Sequence, residues 1–302
     1  MDVLSDALAS MRTGRVRSAR MGWDRPWAQA FAPVPGSAGF HVVLHGECWM
    51  LRDDAEPLHL TTGDVVFRPH GEGHVLADAP GTLPVTPACD PGGPIIGPPP
   101  GGEETITLCG AYELEPDLVH PLISSLPEVI HLPAQPGLGG TVAQLAAELS
   151  TPGLGSDALV PALLDTMLVQ VLRTWLHRDH GEHPTGWSAA LRDPVTGTAL
   201  RAMHRDPARD WTVAALAAEA GLSRAPFARR FTALLGLPPL GYLTWWRMTT
   251  AAGLLRRGDQ PLRHIAERVG YGSEFAFAAA FKRRFGVAPG RYRRARPSAE
   301  RH

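Results

Sequence analysis

The sequence predicts an α+β fold in which an N-terminal β-barrel or sandwich is followed by helices and then by an all-α tandem helix-turn-helix domain. Three observations predict this class. Short β-like segments broken by turns extend to about residue 135, two longer helical patterns follow them, and the last third of the chain contains an internal repeat. We therefore expect three parts, at residues 1–135, 136–187 and 188–302.

The N-terminal part begins with a short helical pattern over residues 2–11 and continues as many short strands. Frequent turns between short apolar segments are typical of a barrel or sandwich. Residues 80–102 are dense in Pro and Gly and poor in apolar side chains, so we expect a mobile loop there. The predicted strands span residues 15–21, 40–45, 48–51, 65–68, 75–77, 105–114 and 129–132.

The middle part carries two predicted helices, near residues 142–149 and 157–177. Apolar residues recur along one broad face of the second helix, which is the pattern of an amphipathic helix. That face either packs on the β domain or forms the seam of a homodimer, and the sequence leaves both alternatives open.

The last part contains two copies of one pattern, offset by 50 residues. In each copy a serine stands at a helix N-cap, large apolar residues recur every four positions, and a glycine ends the helix in the left-handed conformation. A shorter amphipathic helix and a glycine turn precede each serine, which is the layout of a helix-turn-helix. The matching pairs are Ser223 and Ser273, Phe227 and Phe277, Phe231 and Phe281, Gly236 and Gly286, Pro239 and Pro289, and Tyr242 and Tyr292.

Charge is distributed unevenly along the chain. Residues 1–190 hold 9 Lys and Arg against 22 Asp and Glu, whereas residues 191–302 hold 20 against 8. The net charge of +12 on the C-terminal segment favours a polyanionic partner for that part. Neither a secretory signal nor an apolar run approaching the length of a membrane span is recognisable, so we expect a cytoplasmic protein with no membrane association. The three cysteines match no zinc spacing and fit free thiols in a reducing compartment.

Residues 211–294 resemble the DNA-binding domain of AraC-family transcription regulators, through segments such as "LAAEAGLS", "FARRFTALLGLPP" and "FKRRFGVAPGRYRR". The resemblance implies that double-stranded promoter DNA is the partner and that the residues just after each helix-start serine face the bases. We expect Arg224 and Arg229 to read guanine edges, each contact being worth about 1–3 kcal/mol of discrimination. The second unit has Glu274, Phe275, Ala278 and Ala279 at the equivalent positions, so we expect it mainly to hold the DNA backbone. The expected DNA-binding residues are Ser223, Arg224, Ala225, Ala228, Arg229, Arg230, Ser273, Glu274, Lys282, Arg283 and Arg284.

The N-terminal part resembles the cupin-like sensory domain of one branch of the same family, through "FHVVLHGECWM" and "GDVVFRPHGEGHVL". The resemblance implies that this domain binds a small-molecule effector and modulates promoter binding, without enzymatic activity. We expect His41, Trp49, His74 and Cys109 to line the effector cavity. A homodimer is the expected assembly, and RNA polymerase is a further candidate partner.

Two alternatives stay open at this point. A cupin metal enzyme fused to a DNA reader would use His41 and His74 as ligands, but Gly39 stands where the metal-binding glutamate of cupins belongs, so we expect no cofactor. A redox-responsive regulator would use Cys89, in the predicted mobile loop, with Cys109 as its resolving partner.

Overall fold

The computed structural model describes residues 2–11, 16–84, 88–89, 103–114, 118–178 and 185–294. It confirms the predicted fold class, with antiparallel strands in the N-terminal half and helices after them. The strands are β1 Arg17–Trp23, β2 Ala28–Phe31, β3 Ser37–His45, β4 Glu47–Arg52, β5 Ala55–Thr61, β6 Val65–Arg68, β7 His74–Ala77, β8 Thr105–Glu113 and β9 Ile130–Leu132.

The helices begin with α1 Val3–Met11, before the first strand, and α2 Pro121–Ser124, between the last two strands. Two long helices then precede the C-terminal set. The remaining bounds are α3 Pro136–Ser150, α4 Ser156–Arg178, α5 Trp187–Arg192, α6 Pro194–Arg205, α7 Val213–Glu219, α8 Arg224–Leu235, α9 Pro239–Arg257, α10 Leu262–Arg268, α11 Glu274–Phe285 and α12 Pro289–Arg294.

These elements form two compact units. The barrel unit contains Arg12–Glu115 and Leu126–Arg178, and the helical unit contains Met1–Met11, Pro116–Ser125 and Asp179–His302. The helical unit thus includes α1 and α2, which lie far from its other helices in sequence. That residues 1–135, 136–187 and 188–302 form separate domains stays a prediction.

The barrel unit is a sandwich of two sheets. One sheet has the strand order β1-β8-β3-β6-β9 and the other has β2-β7-β4-β5, and neighbouring strands within each sheet are antiparallel. Its core contains Trp23, Trp27 and Met50, so aromatic and sulfur-containing side chains fill part of the space between the sheets.

Two strands differ from the sequence prediction. β2 and β5 are not among the predicted strands. The residues of β5 alternate poorly, with Glu56 and Pro57 exposed and only Leu60 fully buried. Pairing with β4 stabilises this segment as an edge strand, a position that tolerates Pro. The loop predicted over residues 80–102 falls largely on residues 85–87 and 90–102, which lie outside the described residues.

The long helix α4 packs within the barrel unit. Its buried residues include Leu164, Met167 and Leu172, and it lies against α3 and β9. By length and composition alone α4 could cross a bilayer, as could the core helix of many globular proteins. Asp165, Gln170 and Arg173 interrupt the apolar positions of this helix, so it is not a continuous apolar run.

Candidate nucleic-acid interface and effector cavity

Each half of the helical unit presents a helix whose N-cap residue is a serine. In the first half, α7 is followed by a turn at Gly221, whose φ of 73° is left-handed, and Ser223 is the N-cap of α8. In the second half, α10 is followed by Gly270 with a φ of 77°, and Ser273 is the N-cap of α11. The two copies therefore share one backbone path, as the sequence repeat predicts.

The ends and inner faces of these helices also follow the prediction. Gly236 and Gly286 end α8 and α11 in the left-handed conformation, with φ angles of 69° and 74°. The phenylalanines that recur every four positions in the repeat are fully buried. They are Phe227 and Phe231 in α8, and Phe277 and Phe281 in α11.

The outer face of α8 carries the predicted base-reading residues. Arg224, Ala225 and Arg229 are exposed, and Ala228 is half-buried at the edge of the core. The Ser223 hydroxyl makes no capping hydrogen bond in α8, whereas the Ser273 hydroxyl accepts one from the backbone N–H of Ala276 at 3.1 Å. Ser223 is thus exposed at the helix start with its hydroxyl free of that bond.

Arg230, a predicted DNA-binding residue, also has a partner inside the helical unit. Its Nε donates to the Asp193 carboxylate at 2.9 Å, and one of its terminal nitrogens forms an ion pair with the same oxygen. The Asp193 carboxylate also caps α6 by accepting from the Thr196 N–H at 2.7 Å. Burial raises the pKa of this carboxyl, but these hydrogen bonds outweigh it and the pKa is lowered. The guanidinium therefore joins α8 to α6.

The outer face of α11 is less polar. Glu274 and Ala279 are exposed, and the exposed cations Lys282, Arg283 and Arg284 lie in the last turn of the helix. A cluster of cations beyond an apolar stretch fits phosphate contact better than hydrogen bonding to base edges.

A cavity of about 80 Å³ lies in the barrel unit. Its wall includes Ala19 and Met21 of β1, Phe31 of β2, Cys89, and three of the predicted effector residues, His41, His74 and Cys109. His41 of β3 stands directly opposite Cys109 of β8 in one sheet, and His74 of β7 stands opposite Phe31 in the other sheet. The fold thus brings together the side chains that the sequence placed on separate strands.

The two histidines and the thiol form a buried chain of hydrogen bonds. The Nδ1 atom of His41 lies 3.1 Å from the Cys109 sulfur, and its Nε2 atom lies 2.6 Å from Nε2 of His74. Burial, with the charge of Arg68 adding to it, lowers the pKa of His41 to about 3. Burial also lowers the pKa of His74 and raises that of Cys109 to about 12. All three groups are therefore neutral near pH 7.

Comparison with known proteins shows the family. Residues 2–177 match a family model described as a cupin, and residues 216–295 match one described as a helix-turn-helix domain. An AraC-like transcription regulator of Streptomyces lividans is 37% identical over 97% of this chain and 98% of its own length. The chain belongs to the AraC family. An AraC-like regulator of Streptomyces antibioticus is 35% identical over 97% of this chain and 99% of its own length. The HTH-type transcriptional regulator MtrA of Neisseria gonorrhoeae is 31% identical over 84% of this chain and 85% of its own length.

As a member of the AraC family, the chain is a DNA-binding transcription regulator with an N-terminal cupin domain. In this AraC-family cupin domain, Trp49 does not line the cavity. Cys48 and Met50 point into the core of the sandwich, so alternation along β4 places the Trp49 side chain on the opposite face, where it stacks on His59 at 4.6 Å. The expectation of Trp49 as an effector contact is therefore wrong, because the strand alternates.

Cys89 is also less exposed than expected. Its backbone N–H donates to the Ala30 carbonyl at 2.7 Å, its carbonyl accepts from the Ala32 N–H at 3.1 Å, and its half-buried side chain packs against the barrel core. Pairing with the end of β2 holds Cys89 in the cavity wall, so the exposure that the redox alternative assumed is reduced.

The residues of this AraC-family domain do not fit a cupin metal centre. Among the described residues, no group of three or more His, Cys, Asp or Glu side chains converges as a metal site. The facing Nε2 atoms of His41 and His74 are at hydrogen-bonding distance, which is shorter than the span of two metal–nitrogen bonds of about 2.0–2.1 Å each in a tetrahedral site. Gly39 lines the cavity at the place of the missing glutamate.

A buried chain of polar groups in the helical unit was missed from sequence. The His120 Nδ1 atom accepts from the Leu122 N–H at 3.0 Å, so its proton is on Nε2, which donates to the Tyr242 hydroxyl at 3.1 Å. The Tyr242 hydroxyl then donates to Nε2 of His204 at 2.5 Å, and Nδ1 of His204 donates to the Asp6 carboxylate at 3.0 Å. This chain joins α1 and α2 to α6 and α9. Two of its links join residues 122 and 198 positions apart, His120 to Tyr242 and Asp6 to His204, and the sequence repeat singles out only Tyr242 among the four.

Proposed function

We propose that the chain reads promoter DNA with α8 and α11, and that a small molecule in the barrel cavity changes this reading. The observation that carries the proposal is the pair of equivalent helices, each with a serine at its N-cap position and each leaving its first turn exposed. Helix-turn-helix proteins place the N-terminal residues of such helices against base edges in the major groove.

In this proposal α8 contacts mainly bases and α11 contacts mainly phosphates. Arg224 and Arg229 of α8 make bidentate contacts with guanines, and Ser223, Ala225 and Ala228 border them. Ser273 and Glu274 start the approach of α11, and Lys282, Arg283 and Arg284 contact phosphates. Arg230 keeps its contact with Asp193 and holds α8 in place, with its exposed part near the DNA backbone.

The test is binding of the full chain to a randomised duplex library at two salt concentrations. We expect one selected site that covers two successive major grooves, with an affinity that falls steeply as salt rises. Equal binding to all duplexes, or none at low salt, would refute the proposal.

The cavity supports a small, largely apolar effector with one hydrogen-bonding group. Its apolar wall includes Met21, Phe31 and Ala19, and the neutral imidazoles of His41 and His74 offer the polar contact. A ligand of this kind loses little hydration on entry and pairs with groups that are themselves neutral.

The effector proposal is tested by thermal shift of the full chain with phenol, benzaldehyde and cyclohexanone, and with benzoate as a charged comparison. Ala19→Leu fills the cavity from β1, and Ala147→Leu on the exposed face of α3 is the matched control. We expect at least one neutral probe to stabilise the parent and the control but not Ala19→Leu. The same probe should change the affinity for the selected duplex. Stabilisation that persists in Ala19→Leu would place the ligand elsewhere.

The strands that line the cavity are covalently connected to helices of the DNA-binding unit. β1, which carries Ala19, follows α1 directly in sequence, and β8, which carries Cys109, precedes α2. Both helices belong to the helical unit. We therefore propose that a ligand that shifts β1 or β8 alters the seating of α1 and α2, and through them the geometry of α8 and α11.

We further propose that the protein acts in the cytoplasm, as a homodimer that contacts RNA polymerase, and without enzymatic turnover. Most of the apolar face of α4 is buried within the barrel unit, whereas Leu159 is exposed at the start of the helix and Leu154 precedes it in the open. These two leucines support a modest contact between copies. Sedimentation of the full chain and of Leu159→Ser over a range of concentrations tests the dimer.

A further inference from the structure

The most exposed aromatic side chain among the described residues stands at the start of α11. Phe275 is 89% exposed, although Phe277, two positions later, is fully buried. Two residues turn an α-helix by about 200°, so the two rings point to opposite sides of α11. Phe275 therefore lies on the outer face of α11, whereas Phe277, Ala280 and Phe281 form the buried inner face.

Phe275 is continued along this face by small apolar residues. Positions three, four and seven residues after Phe275 share its side of the helix, and they are Ala278, Ala279 and Lys282. Ala279 and Lys282 are exposed, and Ala278 is half-buried. The outer face of α11 thus presents a phenyl ring and methyl groups, followed by a cation.

We propose that Phe275 reads the C5-methyl group of a thymine in the major groove. The proposal rests on the proposed function, because it requires α11 to enter that groove. The thymine methyl is the one apolar group that base pairs present there, and Phe and Ala are side chains suited to it. Lys282, about 10 Å further along the helix at 1.5 Å per residue, then meets a phosphate at the groove edge. The second helix discriminates between sequences without hydrogen bonds.

This assignment gives α11 a base contact in addition to the phosphate contacts proposed above. α8 selects guanine through arginine, whereas α11 selects thymine through a ring that excludes water from the methyl group. Removing one methyl from such a contact corresponds to about 0.8 kcal/mol, or about a four-fold change in affinity.

The test replaces single thymines by deoxyuridine, which lacks only the C5-methyl group. The full chain is first used to select its site, and each thymine in the half bound by α11 is then changed in turn. We expect one position at which deoxyuridine weakens binding about four-fold. Phe275→Ala should bind the thymine site more weakly and should lose sensitivity to deoxyuridine at that position.

Leu240→Ala is the matched control, because Leu240 is an exposed apolar residue of the same unit on a different helix. It should keep the sensitivity of the parent. Parent binding that is the same for thymine and deoxyuridine at every position would overturn the proposal while leaving DNA reading intact. Loss of transcription by Phe275→Ala with unchanged selection would assign the ring to a protein partner instead. Failure of the parent to select any site would refute the proposed function itself.

Discussion

The buried chain in the helical unit predicts a large cost for removing one hydroxyl group. Tyr242→Phe deletes the atom that accepts from His120 and donates to His204, while the ring keeps its place. The hydrogen bond that His120 donates to this hydroxyl and the one that His204 accepts from it are then both lost. Tyr242 and His120 are fully buried, and the side chain of His204 is completely enclosed. Water is therefore not available to replace the hydroxyl.

The magnitude follows from two buried polar atoms that lose their partner. Each such atom costs about 1–3 kcal/mol, so we expect Tyr242→Phe to lower the free energy of unfolding of the helical unit by about 3 kcal/mol. For a unit of this size that corresponds to a fall in melting temperature of roughly 10 °C. Thermal and urea unfolding of the full chain, followed by circular dichroism, measure both quantities.

Tyr292→Phe is the matched control, because Tyr292 occupies the same place in the second copy of the repeat. The residue equivalent to His204 there is Leu254, and the Tyr292 ring packs between Phe281 and Phe285. We expect the control to lose much less stability. Equal losses in the two variants, or a loss below about 1 kcal/mol for Tyr242→Phe, would show that the chain of hydrogen bonds does not hold α1 and α2 as we describe.

Three further predictions concern the interface and the cavity. Arg229→Ala should relax selection at one base position, whereas Lys282→Ala should weaken all duplexes about equally and reduce the salt slope by about 1; identical selection profiles for the two variants would contradict this. Because the pKa of His41 in the folded chain, about 3, lies below that of an unfolded histidine, the unfolded state binds the proton first as pH falls below 6.5. Stability should therefore fall with decreasing pH, by about 1.4 kcal/mol per unit from this group alone, and His41→Asn should flatten the profile of melting temperature against pH. Because burial raises the pKa of Cys109 to about 12, iodoacetamide at pH 8 should alkylate Cys89 well before Cys109, as mass spectrometry of peptides can establish; equal rates would refute the assignment.

The sequence predicts the helical unit better than the barrel unit. Helix-start serines, buried phenylalanines at a spacing of four and left-handed glycines are local signals, and α8 and α11 follow them closely. β5 has no such local signal, because pairing with β4 rather than the alternation of its own residues makes it a strand.

The candidate sites show the same division. His41, His74 and Cys109 meet as expected, since strand alternation and antiparallel pairing place them on the inside of the sandwich. The prediction for Trp49 is wrong because neighbouring residues of β4 face opposite sides of the sheet, and Trp49 is on the side away from the cavity. The contact between Asp6 and His204 joins residues 198 positions apart, and no local pattern reports such a pair.

The assignment of α1 and α2 to the helical unit has a consequence for how the chain can be divided. Following the backbone from the first residue, the path passes from one unit to the other four times, near residues 12, 116, 126 and 179. After a single cut at any of these crossings, at least one unit still contains segments from both fragments. Buried contacts, such as those of Asp6 and His120, then hold the two fragments together. A fragment that begins at residue 188 lacks α1 and α2 and exposes the surfaces of Tyr242 and His204 that they cover. The chain therefore passes repeatedly between its two units, and a C-terminal half exchanged between relatives arrives without the α1 and α2 segments that belong to its own helical unit.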